Sequence, residues 1–153
     1  NLDGIGSVAG GENGAVLDWK KVVGLETVVA VENADLGSLA YLTNSKVRGA
    51  MKTTEKSQGT ARFLMEGGEG NGYKTVVTNL VPSDIKKGTG TNLSAMIFGN
   101  FADVVLAQWG GLDFIDPYTL AKSGDIKIVA NAFHDLGYKH EKSFAAIKDI
   151  ITD

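Results

Sequence analysis

A long run of alternating residues in the last third of the chain constrains the fold more than any other feature. One side of the run consists of Ile126, Ile128, Ala130, Ala132, His134 and Leu136. Alternation over this length predicts a β-strand about twice the usual ~5–6 residues. This side is predicted to face a core, although Val129 and Phe133 break the pattern on the other side. A final strand over Ser143–Ile150 is expected to pair with it, and the pair should lie outside the compact part, packed on an element outside the chain.

Glycine usage favours short strands joined by tight turns in the rest of the chain. The 153 residues include 20 glycines and two prolines, and the glycines lie between short apolar runs. The length is that of one ordinary domain, which can bury a core without metals or disulfides. Residues 1–14 are small and glycine-rich and are interpreted as a connector that enters the domain.

Two helices are predicted from cap residues that precede apolar residues at helical spacing. Asp18 stands at an N-cap position and predicts a helix over residues 19–31, ended by the polar turn 32–35 and Gly37. The tripeptide Thr43-Asn44-Ser45 caps a second predicted helix that runs to about Thr53.

The strand and loop predictions rest on apolar runs between turn signals. Strands are predicted at residues 39–42, 62–65, 73–81 (ended by Pro82), 95–98 and 104–108. Asn71-Gly72, within the turn Gly67–Gly72, is the strongest hairpin signal. The strands at 95–98 and 104–108 are predicted to join around Gly99-Asn100, with residues 109–111 closing the second. Residues 54–60 and 83–93 are predicted to be loops.

Composition excludes several classes of function. The chain has no cysteine, which rules out disulfide scaffolds, zinc–thiolate sites and thiol nucleophiles. Its net charge of −3 provides no basic field for nucleic acid. No apolar run approaches the ~20 residues that span a bilayer. The chain starts Asn1-Leu2-Asp3-Gly4 without an initiator Met, so we expect a fragment or a trimmed product.

The histidines and serines do not predict a catalytic or metal site. His134 and His140 lie six residues apart with Asp135 and Glu141 nearby, but a metal site would need a further converging ligand. They are interpreted as ordinary strand and turn residues. No serine lies in a Gly-x-Ser-x-Gly turn, so a Ser-His-Asp triad is not predicted.

The glycine clusters and acidic pairs also favour structural interpretations. Gly10–Gly14 and Gly67–Gly72 lack the strand-then-helix context of a phosphate loop, and Lys86–Thr89 has the wrong order for one. The pairs Asp113/Asp116 and Glu66/Glu69 lie in turns, where carboxylates are usually solvated. Trp19 and Trp109 are interpreted as core or rim anchors. The sequence therefore predicts no catalytic, cofactor-binding or metal-binding residue, and no cofactor.

Four stretches in a fixed order carry a family resemblance. Tyr41–Met51 has the pattern strand, Asn-Ser turn, helix, and Gly72–Pro82 is a strand that ends in proline. Ile97–Ala107, followed by Gly110-Gly111-Leu112, contains a Gly-Asn-Phe turn after an apolar strand, and Phe133–Ala145 ends in Ser-Phe-Ala. In this order, over nearly the whole chain, they resemble the carboxyl-terminal half of HK97-like major capsid proteins of tailed phages.

The resemblance implies an α+β fold in which an axial domain has a mixed sheet flanked by helices. Residues 1–12 would connect the peripheral to the axial domain, 13–113 would form the axial domain, and 114–153 would form peripheral-domain strands. The N-terminal arm, the extended E-loop and the spine helix would all precede residue 1. Asn100 stands where the family more often has Asp, and prolines are missing at residues 74–75 and near 142. The Lys–Asn cross-link of some members is not expected, because the matching Gly124-Asp125 has no Asn.

The implied function is structural: a major head subunit that assembles into pentamers and hexamers of an icosahedral shell enclosing double-stranded DNA. Its partners would be copies of itself, and a scaffold, a maturation protease and a portal are further candidates. No sequence-specific nucleic acid binding and no membrane partner is expected. It would be made in the bacterial cytoplasm and reside in the virion or derive from a prophage. Residues 53–58 and 83–92 are candidate contact loops, and the chain alone should stay monomeric or weakly associated. The alternative is a small α/β ligand-binding or enzyme domain.

Overall fold

The computed structural model describes residues 4–152, which divide into two compact units. The main unit combines the residues up to Asp103 with those from His140 onward, and the ribbon unit consists of Val104–Lys139. The chain therefore leaves the main unit after Asp103 and returns to it for its last strand.

The regular elements are two α-helices, eleven strands and three short 3₁₀ turns among the described residues. The helices are α1 (Trp19–Val31) and α2 (Ser45–Thr53). The strands are β1 (Gly6–Ser7), β2 (Ala15–Val16), β3 (Leu39–Thr43), β4 (Met65–Glu66), β5 (Glu69–Gly70), β6 (Tyr73–Val77), β7 (Ile85–Lys87), β8 (Gly90–Asn100), β9 (Val104–Asp116), β10 (Lys127–Tyr138) and β11 (Phe144–Ile151).

Both predicted helices are confirmed, together with their N-caps. The Asp18 carboxylate accepts a hydrogen bond of 2.7 Å from the amide of Lys21, and the Asn44 side-chain oxygen accepts one of 3.0 Å from the amide of Val47. Each bond satisfies an amide of the first turn that has no partner within the helix. Asn33, at φ 56°, ends the turn that follows α1.

The main unit is built on one mixed sheet. Its strand order is β1-β11-β8-β3-β6-β5-β4, with β2 also paired to β11 and β7 paired to β8. Strands β3 and β6 are parallel, as are β1 and β11, while β8 runs antiparallel to both β3 and β11. This confirms the predicted α+β class with a mixed sheet.

The core lies on one face of this sheet, beneath both helices. The register aligns Ala145, Phe98, Tyr41 and Thr75 in one row across four strands. Ala145, Phe98 and Tyr41 belong to the same buried cluster as the apolar residues of α1 and α2. The Tyr41 hydroxyl donates to the carbonyl of Val22 at 3.0 Å, so α1 is tied to the centre of the sheet.

The predicted glycine-rich hairpin is confirmed, but it contains two turns rather than one. Gly67-Gly68 joins β4 to β5, and Asn71-Gly72 joins β5 to β6. All four residues have positive φ, and Asn71 and Gly72 are the pair that a tight type I′ turn requires. The strand predicted at 62–65 is displaced to Met65–Glu66, and β5 was not predicted.

Two segment boundaries predicted from turn residues were wrong. Residues 83–93 are not a loop, because β7 and the start of β8 form a hairpin there. The strand before Pro82 ends at Val77, and residues 78–82 form a turn in which the Val81 amide donates to the Thr78 carbonyl.

Two strand pairings were also wrong. Strands β8 and β9 are not partners: a short 3₁₀ turn at Phe101–Asp103 separates them, and each belongs to a different sheet. The last strand does not pair with the long alternating strand either. It pairs instead with β8, β1 and β2. Pairing depends on contacts distant in sequence, which alternation within one strand does not encode.

The ribbon unit is a two-stranded antiparallel sheet of β9 and β10. It confirms the long strand predicted from period-2 alternation and its place outside the compact part. Strand β9 does not close at residues 109–111 but continues to Asp116. Gly110, at φ 67°, is the extra residue opposite the Ala132/Phe133 register shift and forms a β-bulge.

Candidate assembly surfaces

The two histidines do not converge on a site. His134 lies within β10, and His140 precedes the short 3₁₀ turn Glu141–Ser143 without a side-chain capping bond. Among the described side chains, which do not include that of Asp113, no group of three or more His, Asp or Glu is placed to hold a metal ion.

The acidic pairs organise turns. The hydroxyl of Thr119 and the amides of Tyr118 and Thr119 donate to Asp116, and these bonds hold the pKa of its carboxyl below the usual value. Glu66 accepts from the amide of Phe63 at 3.0 Å, and its cross-strand neighbour is Glu69. The side chain of Asp113 lies outside the described residues.

The two tryptophans differ in environment. Trp19 packs against the main core, with the Lys56 ammonium 4.5 Å from the centre of its ring, within cation–π range. Trp109 lies on the ribbon and is 54% exposed, so it is not a core residue, and its interpretation as a rim anchor stays a prediction.

A buried carboxylate that the sequence analysis did not single out holds three segments together. The Asp149 side chain is 4% exposed and accepts hydrogen bonds from the amides of Gly10 and Gly11 and from the Lys87 ammonium, the last at 2.5 Å. These donors come from the entry segment and from the β7–β8 hairpin. No local pattern marks Asp149, because all of its partners are more than sixty residues away.

A second polar cluster ties α1 to the β5–β6 turn. Glu26 accepts hydrogen bonds from the Tyr73 hydroxyl at 2.8 Å and from the Asn71 side chain. The bond to Glu26, reinforced by partial burial, raises the pKa of the Tyr73 hydroxyl. Burial also raises the pKa of Tyr41 well above its usual value. Both phenols therefore stay neutral and act as hydrogen-bond donors in the core rather than as acids.

The ribbon carries large apolar side chains on both of its faces. Its exposed large apolar residues are Val105, Leu106, Trp109, Phe114, Ile115, Tyr118, Leu120, Ile126, Ile128, Phe133 and Leu136. Ile128 and Leu136 are 68% and 59% exposed, so no core within the described residues covers this side, and its packing on an element outside the chain stays a prediction. Contiguous apolar surface of this kind is typical of a site that packs on another element or chain.

The face of the main sheet opposite the core is a second apolar surface, here called the open face. The register aligns Ala146, Ile97, Leu42 and Val76 in a row across β11, β8, β3 and β6. A groove of about 610 Å³ lies over Leu42, Ile97 and Ala146 of this row. It is also lined by other strand residues and by the 78–82 turn, with no residue of either helix. Leu80 in that turn is 92% exposed.

The outer side of α1 is a third apolar surface, here called the α1 stripe. Val23, Thr27 and Val31 follow each other at intervals of four residues, which places them along one side of the helix. A groove of about 1040 Å³ runs beside this line, between the helix, the Ser7–Val8 segment and Lys56. Val31 is 74% exposed.

The candidate contact loops differ in how firmly they are held. The β7–β8 hairpin is fixed by the Lys87–Asp149 ion pair and by a 3.0 Å bond from the Thr89 amide to the Asn13 side chain. In the other segment, the amide of Gly59 donates to Glu55 and the amide of Lys56 to the carbonyl of Arg62. Both tips are solvent-exposed.

None of the helices in the described part of the chain is both long and apolar enough to cross a membrane.

Known structures with the same fold come from virus shells and related particles. The capsid of an empty GTA particle superposes with a TM-score of 0.63 at 17% identity, covering 96% of this chain and 50% of that one. A structure from Mycobacterium phage Che8 has a TM-score of 0.63 at 9% identity, covering 95% and 54%. A virus-like particle from Pyrococcus furiosus has a TM-score of 0.54 at 13% identity, covering 95% and 57%. The mixed sheet with its long ribbon is thus the fold of the HK97-like shell proteins.

Sequence comparison assigns the chain to a family as well as to a fold. The "Major capsid protein" of Halomonas phage phiHAP-1 is 30% identical over 128 residues, covering 83% of this chain and 20% of the relative. The Phage capsid family matches residues 1–149. The chain belongs to the Phage capsid family. It spans about a fifth of that curated relative and about half of the structures it matches.

Proposed function

We propose that this chain is the shell-forming part of a phage major capsid subunit. The observation that carries the proposal is the family match, which extends over 149 of the 153 residues. In this function, copies of the subunit associate into pentamers and hexamers, and these build an icosahedral head around double-stranded DNA. The protein would act through surface contacts and not as an enzyme. No feature of the described residues favours the alternative of a small α/β ligand-binding or enzyme domain.

The domain assignment is part of the same proposal. Residues 1–12 would connect the peripheral and axial domains, and the axial domain would follow from residue 13. The compact units support placing its end at Asp103 rather than at 113, and returning β11 to it, because β11 pairs within the main sheet. The ribbon would then be the part of the peripheral domain that this chain contributes.

The proposed partners are first of all further copies of the same protein. Its relatives are capsid proteins, which supports self-association. A scaffold, a maturation protease and a portal are proposed as further partners in head assembly. The protein would be made in the host cytoplasm and end in the virion.

The proposal is tested by expressing the protein from its complete gene and analysing its size by sedimentation and electron microscopy. We expect closed particles far larger than any single subunit. The 153-residue chain alone is the matched control, and we expect it to sediment as a monomer or a weak oligomer. A complete product that remains a small, stable oligomer under all assembly conditions would contradict the proposal.

A further inference from the structure

The open face and the α1 stripe lie on opposite sides of one sheet. The core row with Tyr41 and Phe98 meets the helices, and the alternate row with Leu42 and Ile97 points the other way. The α1 stripe lies on the side of α1 away from its buried residues Val22, Leu25 and Val29. The main unit thus has two different apolar surfaces that face in opposite directions.

Small residues lie beside larger ones at the centre of the open face. A side chain at Gly99 would collide with the ring of Phe144, with a closest approach of 2.4 Å, so Phe144 lies across the backbone there. Ala40 and Ala146 flank Leu42 and Ile97 in neighbouring positions of the sheet. An amphipathic helix can lay its apolar side into an apolar groove of this kind.

Charges of opposite sign lie at one edge of each surface. Lys74 and Lys148 border the open face without an ion pair among the described residues, although Glu69 is the cross-strand neighbour of Lys74. The carboxyl-terminal end of α1 carries Glu32 and Asp35, has no basic residue in its last turn, and has the partial negative charge of a helix end. Only Lys142 approaches Glu32, at 3.1 Å, and both side chains are largely exposed.

We infer that the open face of one copy receives the α1 stripe of the next copy. The lysines at the border of the open face then lie near the acidic end of the helix. The inference rests on the proposed function, because it assumes that copies of the protein associate. Two different patches on one molecule make a heterologous contact, which closes into a ring when the rotation between copies allows it. The proposed docking therefore assigns the ring-forming contact of the capsomer to these two surfaces.

Cysteine cross-linking tests the docking directly, since the natural chain has no cysteine. Val76→Cys marks the open face and Thr27→Cys marks the α1 stripe. Both are introduced together into the protein expressed from its complete gene. A bismaleimide with a spacer of roughly 10 Å is used, because a disulfide needs Cβ atoms within about 4 Å of each other. The matched control replaces Val76→Cys with Thr91→Cys, an exposed strand position outside both surfaces.

In assembled particles, the pair Thr27→Cys and Val76→Cys should give a ladder of covalent oligomers on a denaturing gel. Its yield should exceed that of the control pair on the order of tenfold or more, because docking raises the effective concentration of the two thiols. Either single variant alone should give no dimer, since a heterologous contact does not bring identical residues together.

Four outcomes would overturn the inference. Particles in which the pair is cross-linked no better than the control would reject the docking and leave the proposed function intact. Strong dimers from a single variant would show a symmetric contact instead. A Val76→Cys thiol that is already shielded from maleimide in the unassembled subunit would show that another segment of the same protein covers the open face. If the unmodified complete product forms no particles, the proposed function fails, and the docking fails with it.

Charge substitutions give an independent readout. Val76→Glu and Val31→Glu should each abolish particle formation, because each places a carboxylate in an apolar contact, while Thr91→Glu should not. Val76→Thr should retain assembly. The melting temperature of each subunit is measured beside assembly. Normal particles from a stably folded Val76→Glu subunit would reject the docking.

Discussion

At the scale of single residues, the polar groups inside the main unit show how distant segments are held together. Asp149 joins the last strand to the entry segment and to the β7–β8 hairpin. Thr43 and Thr75 occupy neighbouring core-facing strands, but only Thr43 has a partner for its hydroxyl, the carbonyl of Ala95 at 3.0 Å. Substitutions at these positions therefore compare the loss of a buried polar group that has a hydrogen-bond partner with the loss of one that has none.

Replacing Asp149 should weaken the main unit in a graded way. Asp149→Ala leaves the amides of Gly10 and Gly11 without a partner and should lower the free energy of unfolding by about 3 kcal/mol. Asp149→Asn should cost about half as much, because its amide oxygen still accepts from Gly10 and the partly exposed Lys87 can be hydrated. The stability of both variants is measured by urea unfolding followed by Trp19 fluorescence. Trp109→Phe is introduced throughout so that Trp19 gives the signal. Lys148→Met is the exposed control, and equal losses for Ala and Asn would contradict this account.

Replacement by valine should change the free energy of unfolding in opposite directions at Thr43 and Thr75. The Thr75 hydroxyl is buried without a hydrogen-bond partner, so Thr75→Val should raise the free energy of unfolding by about 1 kcal/mol. Thr43→Val removes a made hydrogen bond and should lower it by about 1 kcal/mol. Thermal and urea unfolding of the two variants measure these changes. A loss of stability in Thr75→Val would contradict the prediction.

At the scale of elements, local sequence signals predicted the bounds of the helices, whereas the pairing of the strands depends on contacts between residues distant in sequence. Asp18 and Asn44 cap helices whose bounds follow from residues within a few positions, so both helices were predicted at their observed bounds. The glycines at 88 and 90 look like loop residues, yet they lie in a hairpin in which Lys87 pairs with Gly90, and the Lys87 side chain contacts the distant Asp149. Likewise, β11 could not be assigned to β8 from its own alternation, since its partner lies about fifty residues earlier.

The cap of α1 leads to a prediction about pH. Partial desolvation raises the pKa of Asp18, but the hydrogen bonds and charge of Lys21 outweigh it, so the pKa is lower than in the unfolded chain. A depressed folded-state pKa means that the stabilisation is present above the unfolded value of about 3.9 and is lost as the pH falls through the folded value.

Asp18→Ala should cost about 1 kcal/mol at neutral pH, the usual contribution of an N-cap. Asp18→Asn keeps the capping oxygen but removes the charge. The difference in free energy of unfolding between this variant and the parent should therefore shrink as the pH falls through the acidic range. Urea unfolding at a series of pH values compares the variants with the parent. A difference between Asp18→Asn and the parent that stays constant down to the most acidic pH would show that the charge does not contribute.

At the scale of the whole molecule, the order of the motifs along the chain identified the family better than any single motif did. The strand–turn–helix at residues 41–51 and the Gly-Asn-Phe turn at 99–101 identified the family before their pairing was known, and the family match over residues 1–149 confirms it. The three apolar surfaces could not be predicted in the same way. A surface such as the open face exists only when Ala146, Ile97, Leu42 and Val76 come into register across four strands.

The division into two units predicts that the main unit folds without the ribbon. All members of its buried core cluster lie between Leu17 and Phe98 or between Ala145 and Ile150. Val104 and Tyr138 are cross-strand partners at the base of the ribbon, so a short turn can join them. Replacing residues 105–137 by two glycines should therefore leave a main unit that melts cooperatively near the temperature of the parent chain. Circular dichroism and hydrogen exchange at β8 and β11 measure this.

The same excision in the complete gene product separates folding from assembly. A two-stranded sheet with apolar residues on both faces is only marginally stable by itself, so we expect another surface to cover the ribbon in the complete protein. We therefore expect the shortened protein to fold and to form no closed particles. If it assembled normally, the ribbon's apolar faces would have no part in the shell. If its main unit melted without cooperativity, the ribbon would be part of the folding unit and the division at Asp103 would be wrong.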